Sequence, residues 1–232
     1  MGYRKIRATC EAYTSTTPYA VWHELLREVL ECGRDETDAA VEQKLRAVVG
    51  ERAPDLAPWL PLVGAALDLE LEPTPEVEAL ADENRRAKLH DAVERFLVAA
   101  MPGPAIVEID DAHHMDEASI DLLAHLARQL PERQWLVGVA RRPGTTGFVA
   151  AAASWAARID LHPLAQGDAL RLAQIASKDR PLPSHVIEVV AQRSGGNPQF
   201  LRDLLRSAIE SGGTVGLPDS IAERNRSRRN CG

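Results

Sequence analysis

The chain has 232 residues and a mass of 25.3 kDa; 45% of them are apolar, 26% charged and only 4% aromatic. That balance excludes a disordered segment, a collagen-like repeat and a disulfide-built miniprotein, and the length suffices for one large core or two small ones. A net charge of −7 at pH 7 argues against a general binder of nucleic acid or of anionic membranes. Cys10, Cys32 and Cys231 form an odd set without a CxxC pair, which predicts a reduced, cytoplasmic chain. The opening residues Met-Gly-Tyr-Arg-Lys-Ile-Arg hold no apolar leader run. The small apolar stretch 147–157 is too short for a bilayer core of about 30 Å, so no membrane association is expected.

In chain order, residues 4–10 alternate enough to form a strand. Thr17-Pro18 opens a helix whose Trp22, Leu25, Leu26, Val29 and Leu30 follow helical spacing. A second helix is expected over 38–49, stopped by Gly50, with Val41, Leu45, Val48 and Val49 inward. Pro54, Pro58 and Pro61 break 53–67 into short bent helical pieces. Residues 68–83 carry seven acids, no base and two prolines, the pattern of a solvated loop. A longer helix over 84–101 presents Leu89, Val93, Phe96, Leu97 and Ala100 on one face.

The rhythm then changes. Residues 105–109, 135–140 and 157–161 read as strands, with a helix capped by Asp116 running to about residue 130 between the first two. Strand, helix, strand, loop and strand is the cadence of a parallel α/β sheet. Beyond Pro163 the pattern is purely helical, over 168–177, 184–194 and 198–211, with Gly195 and Gly212 closing the last two. The expected division is an α/β part over 1–163, helices over 164–221 and a basic tail over 222–232.

The sharpest chemical feature is Ala-Ile-Val-Glu-Ile-Asp-Asp at 105–111. An apolar strand delivering paired acids at its C-terminal end is the Walker B arrangement: one carboxylate holds magnesium through water and the next orients an attacking water. A strand that merely ends in a polar turn has the same look. Arg141-Arg142 follows the next strand at the same sheet edge, either sensing a phosphate or as solvated loop residues. His113-His114-x-Asp116 suggests a metal, but spacing supplies no third ligand. Gly195-Gly196-Asn197-Pro198 is explained by capping alone, with Asn197 as N-cap and Pro198 as the first helical residue. Glu108, inside a strand expected to be buried, has no account beyond an edge or solvent-facing position.

Three stretches together resemble one family. They are Val-Glu-Ile-Asp-Asp-Ala-His-His-Met-Asp-Glu-Ala-Ser with its helix, Val-Gly-Val-Ala-Arg-Arg-Pro-Gly, and Arg-Ser-Gly-Gly-Asn-Pro-Gln-Phe-Leu. In this order they are similar to the AAA-like, STAND-type ATPase module of bacterial adenylate/guanylate cyclase-like proteins and large LuxR-type transcriptional regulators. Thr17-Pro18-Tyr19 and Leu217-Pro218-Asp219-Ser220-Ile221 extend the likeness over about residues 4–221.

The resemblance implies an incomplete P-loop NTPase-like parallel sheet with flanking helices, followed by a small all-helical lid. It implies ATP and Mg2+ as ligands and other domains of a larger regulator, or self-association, as partners. It assigns Asp110 and Asp111 to magnesium, Asp111 and Arg141 to catalysis, and Arg142, Asn197 and Pro198 to the nucleotide. The 232 residues contain no GxxxxGK[ST] loop, and none of Lys5, Lys44, Lys88 and Lys178 has that context. In this architecture the strand leading into that loop resembles a central one, lying between the strands at 157–161 and 135–139. Impaired ATP binding is therefore expected, with a nucleotide-free interaction scaffold as the alternative. The basic tail with Arg224, Arg226, Arg228 and Arg229 reads as a frayed terminus rather than a DNA contact.

Overall fold

The structure is a computed structural model that describes residues 2–33, 35–143, 147–150 and 153–211. The expected Gly212 cap, the 217–221 segment and the basic tail lie outside the described residues. The chain forms two units, Met1–Ala156 and Ala157–Gly232.

The first unit is built on a parallel three-stranded sheet in the order β1-β2-β3: β1 (Arg4–Thr9), β2 (Ala105–Asp110) and β3 (Trp135–Val139). The register pairs Ile6 with Val107 and Val107 with Val137, so these three apolar residues lie in one row. That row turns towards α1 (Ala20–Val29) and three later elements, α2 (Asp38–Arg52), α3 (Leu60–Ala65) and the single turn α4 (Pro75–Glu78), precede the longest helix, α5 (Asp82–Ala100). The last helix of the unit is α6 (Glu117–Ala127). Trp22 and Leu25 of α1, Leu97 of α5 and Leu123 and Leu126 of α6 meet Ile6, Val107, Ile109 and Val137 around one small apolar cavity.

The opposite face of the sheet is polar. Its rows run Lys5–Ile106–Leu136 and Arg7–Glu108–Gly138, with Lys5 paired to Glu108 at 3.0 Å and Arg7 to Asp110 at 3.3 Å. Leu136 is 64% exposed. Glu108 is thereby explained: it stands on an uncovered face with a cation opposite, the cross-strand pair that stabilises a half-solvated sheet.

The two outer edges of this sheet differ. On β1, the outward N–H groups of Arg7 and Thr9 donate to the carboxylates of Glu28 and Glu24, four residues apart on α1, at 2.7 and 3.2 Å. On β3, Gln134 and Ala140 bond towards β2, so Trp135, Val137 and Val139 turn their backbone groups outward. Those groups have no partner among the described residues.

Several assignments differ from the sequence reading. Within 68–83, expected as a solvated loop, α4 forms and Leu69 and Val77 are buried. α5 and the first helix beyond Pro163, Gln166–Ala176, each begin two residues earlier than expected. Residues 157–161 are not a strand; Ile159 and Leu161 are 82% and 92% exposed, and no neighbouring strand among the described residues supplies a ladder. The second helix runs through Gly50 to Arg52: Gly50 does not take the left-handed conformation that would end it, and the helix stops ahead of Pro54. The first helix starts at Ala20, not at Thr17-Pro18, because Tyr19 takes a left-handed conformation, φ 61°.

The second unit contains three helices, α7 (Gln166–Ala176), α8 (Ser184–Arg193) and α9 (Pro198–Glu210). Their core holds Ala169, Ala173, Val186, Val190, Phe200, Leu201, Leu204, Leu205 and Ala208. Between α8 and α9, Gly196 has φ 77°, its carbonyl accepts from Leu164 N–H at 2.8 Å, and a Cβ would strike the Leu164 carbonyl. Only glycine fits there. Among the described residues no helix is long and apolar enough to cross a membrane.

Candidate functional site

β2 ends in Asp110, and the next residue, Asp111, adopts a left-handed conformation with φ 50° and ψ 34°. Aspartate is among the few residues that tolerate this, since its short side chain bonds locally. Here the Asp110 Oδ1 accepts from Asp111 N–H at 2.9 Å. The left-handed step turns the chain into a short 3-10 turn, Ala112–His114, and Asp116 then caps α6.

The end of β3 is fastened to this turn. Ala112 N–H donates to Ala140 O, and Ala140 N–H to Ile109 O, both at 2.9 Å. Residues 147 and 148 lie across it: Phe148 N–H donates to Ala112 O at 3.2 Å, and a Cβ on Gly147 would collide with that carbonyl. Arg141 Nη1 donates to Phe148 O at 2.7 Å, which fixes the arginine beside the turn. The acid pair and Arg141-Arg142 are thus gathered at the C-terminal ends of two neighbouring parallel strands, where open α/β sheets carry their chemistry.

The field at this edge is mixed. Asp110 faces Arg7, while Asp111 Oδ1 lies 3.7 Å from His113 Nδ1. Burial holds His113 below the usual imidazole range; His114, Arg142 and Arg141 lower it further, and Asp111 acts in the opposite direction. Neither ring nitrogen of His113 has a hydrogen-bond partner among the described residues. Cys10 is buried at the end of β1, and its thiol is pushed up to about 12 by burial, then by Asp116, Asp111, Glu24 and Asp110. It is an inert thiol.

A family model for the AAA ATPase domain matches residues 2–139, more than half of the chain. The chain belongs to the AAA ATPase domain family. No curated protein and no solved structure matches it.

AAA ATPase domains use a nucleotide and Mg2+, and the acid edge can be tested for fit with each. Asp110 and Asp111 are half-exposed, hard oxygen donors with free lone pairs, a set that suits a hydrated divalent cation. A triphosphate fits less well. The N–H groups of Asp111, Ala112, His114 and Met115 already donate within the turn and to β3, so this turn offers no cluster of free donors. No group of three or more His, Cys, Asp or Glu placed to hold a metal occurs among the described residues, so the His-His-x-Asp pattern gathers no further ligand.

Asn197 and Pro198 lie in the second unit. Asn197 Oδ1 accepts from Phe200 N–H at 3.0 Å and Pro198 opens α9, so both have a complete capping role there.

One residue of this AAA ATPase domain is under-read by sequence. Asp116 is buried, and besides capping α6 through Ser119 N–H at 2.9 Å it accepts from Tyr19 N–H at 3.0 Å and Ala20 N–H at 3.3 Å. One carboxylate therefore ties the starts of α6 and α1 together. Tyr19 invites such a contact, since a left-handed residue ahead of a helix leaves its N–H groups without a side-chain cap.

Proposed function

We propose that this AAA ATPase-family chain is a regulatory module of the STAND type, which couples nucleotide state to a cyclase or transcription-regulator output. The observation that carries the reading is the Asp110-Asp111 pair at the C-terminal end of β2 with Arg141-Arg142 at the end of β3. In it Asp110 and Asp111 hold hydrated Mg2+, Asp111 orients water, and Arg141 and Arg142 answer to the phosphates. Because the acid turn donates its N–H groups internally, these residues bind ATP weakly, and adjacent carboxylates repel phosphate that lacks a metal. Calorimetric titration of the homogeneous monomer with Mg-ATP tests this. The expected dissociation constant is weaker than about 0.1 mM, weakening again in Asp110→Asn. Micromolar affinity would overturn the claim of weak binding, and unchanged affinity in both Asp110→Asn and Asp111→Asn would overturn the site.

A second reading, a nucleotide-free interaction scaffold that self-associates, is favoured by the contrast between the two sheet edges. β1 has two outward N–H groups capped by glutamates, the kind of protection that prevents strand addition, whereas β3 has none. Retention on ATP-agarose separates the two readings. A chain that is not retained but sediments as a dimer is the scaffold.

A further inference from the structure

The second unit carries a groove of about 420 Å³ lined by Ala176 at the end of α7, by Arg180, and by Arg202, Leu205, Arg206, Ile209 and Glu210 on α9. Leu205 is buried in the floor, while the three arginines are exposed. Among the described residues, none of their guanidinium groups makes a hydrogen bond or an ion pair. Between residues 157 and 211 the sequence has seven basic and six acidic residues, so the unit as a whole is nearly neutral. The positive charge is concentrated at this groove.

Helix electrostatics does not account for the arginines. Arg202 and Arg206 stand four apart on α9, a like-charge pair that disfavours the helix, and neither lies in its last turn, where a cation would suit the dipole. Glu210, a turn beyond Arg206, makes no ion pair with it. An apolar floor with an uncompensated cationic rim suits a ligand that brings both apolar anchors and carboxylates.

We propose that this groove docks an acidic amphipathic helix of a partner protein, its leucine-type side chains on Ala176 and Ile209 above the buried Leu205 and its carboxylates on Arg180, Arg202 and Arg206. The chain's own residues 212–232 have the wrong sign for this, with four arginines against Asp219 and Glu223. A free polyphosphate is less suited, because both α7 and α9 contribute their C-terminal halves, whose partial charge is negative, and Glu210 closes one end. The proposal is independent of whether the first unit binds nucleotide.

The test is fluorescence anisotropy with the full chain. The probe is a labelled synthetic helix of about 16 residues, with Glu at i, i+4 and i+8 and Leu at i+3 and i+7. Binding should appear in the range of about 10–100 μM and weaken roughly tenfold or more in R202E/R206E. It should fall as salt rises from about 50 to about 500 mM and vanish for the peptide with Gln in place of Glu. Arg180→Glu, which lies outside the helices, should weaken binding too and is read apart from any effect on helix stability. Ile209→Asp should weaken it at unchanged ionic strength. Equal binding of the Glu and Gln peptides, or no binding, would overturn the proposal. So would full displacement by inorganic triphosphate together with no effect of Ile209→Asp, which would make the groove a simple anion site.

Discussion

Asp116 receives three backbone N–H groups from two helix starts that are 97 residues apart in the chain. The sequence shows a helix N-cap at this position, and nothing in it could show that the same carboxylate also reaches Tyr19 and Ala20. Asp116→Ala leaves the buried Ser119 N–H and the half-buried Tyr19 and Ala20 N–H groups unpaired, and should cost about 1–3 kcal/mol in urea denaturation. Asp116→Asn keeps one acceptor oxygen and should recover part of the loss; an alanine variant as stable as the parent would show that the contacts carry no energy. A second residue-scale prediction concerns His23, His90 and His113, each held below the usual imidazole range chiefly by burial. Their folded values lie below the unfolded one of about 6.5, so the unfolded chain takes up protons first as acid is added. This contribution to stability is fully present above about pH 6.5 and declines below it, until the folded values are passed. The urea midpoint should therefore drop between about pH 7.5 and pH 5.5, and a flat profile would contradict the burial of these rings. Glu108 makes the opposite lesson: its place in the run 105–111 was plain, but its environment depended on whether the sheet was covered on one face or two, which no local pattern records.

Among the elements, β2 and β3 were legible as short apolar runs followed by Asp-Asp or Arg-Arg, and β1 as a partly alternating stretch, while the supposed strand at 157–161 had an equally good local pattern. The difference lies in the neighbours: a strand exists only where a ladder receives it, and residues 157–161 have none among the described residues. Helix ends failed for a related reason, since a glycine ends a helix only where the chain turns left-handed, and Gly50 does not. In the second unit, α9 has the clearest amphipathic stripe, with Phe200, Leu201, Leu204 and Leu205 all buried. Leu204→Ala should cost about 2–5 kcal/mol, read as a lower melting midpoint of the helical signal; a neutral result would mean that the stripe packs loosely. At the β3 edge, Leu136 is exposed on the uncovered sheet face beside the unpaired backbone of Trp135 and Val137. Leu136→Lys puts a charge on that edge, so any self-association seen by sedimentation velocity should fall, with the monomer's helix content unchanged. Association that persists in this variant would direct attention to another surface.

On the scale of the whole molecule, the parallel sheet has a consequence for biosynthesis. β1 and its partner β2 are about a hundred residues apart in the sequence, and five α-helices lie between them. At typical translation rates a ribosome needs roughly 5–20 s for that stretch, during which residues 4–9 wait for β2. Contacts of such long range also make the sheet a late event in refolding from denaturant. The glutamates of α1 become important in that interval: Glu24 and Glu28 are only 15 and 21 residues from the N–H groups they cap. They can shield one side of β1 before β2 exists, so that the nascent strand meets other chains on a single edge. The double variant Glu24→Ala/Glu28→Ala should accordingly lose more in soluble yield, and in refolding yield at high protein concentration, than in equilibrium stability. These two carboxylates guard the birth of the sheet more than its finished form.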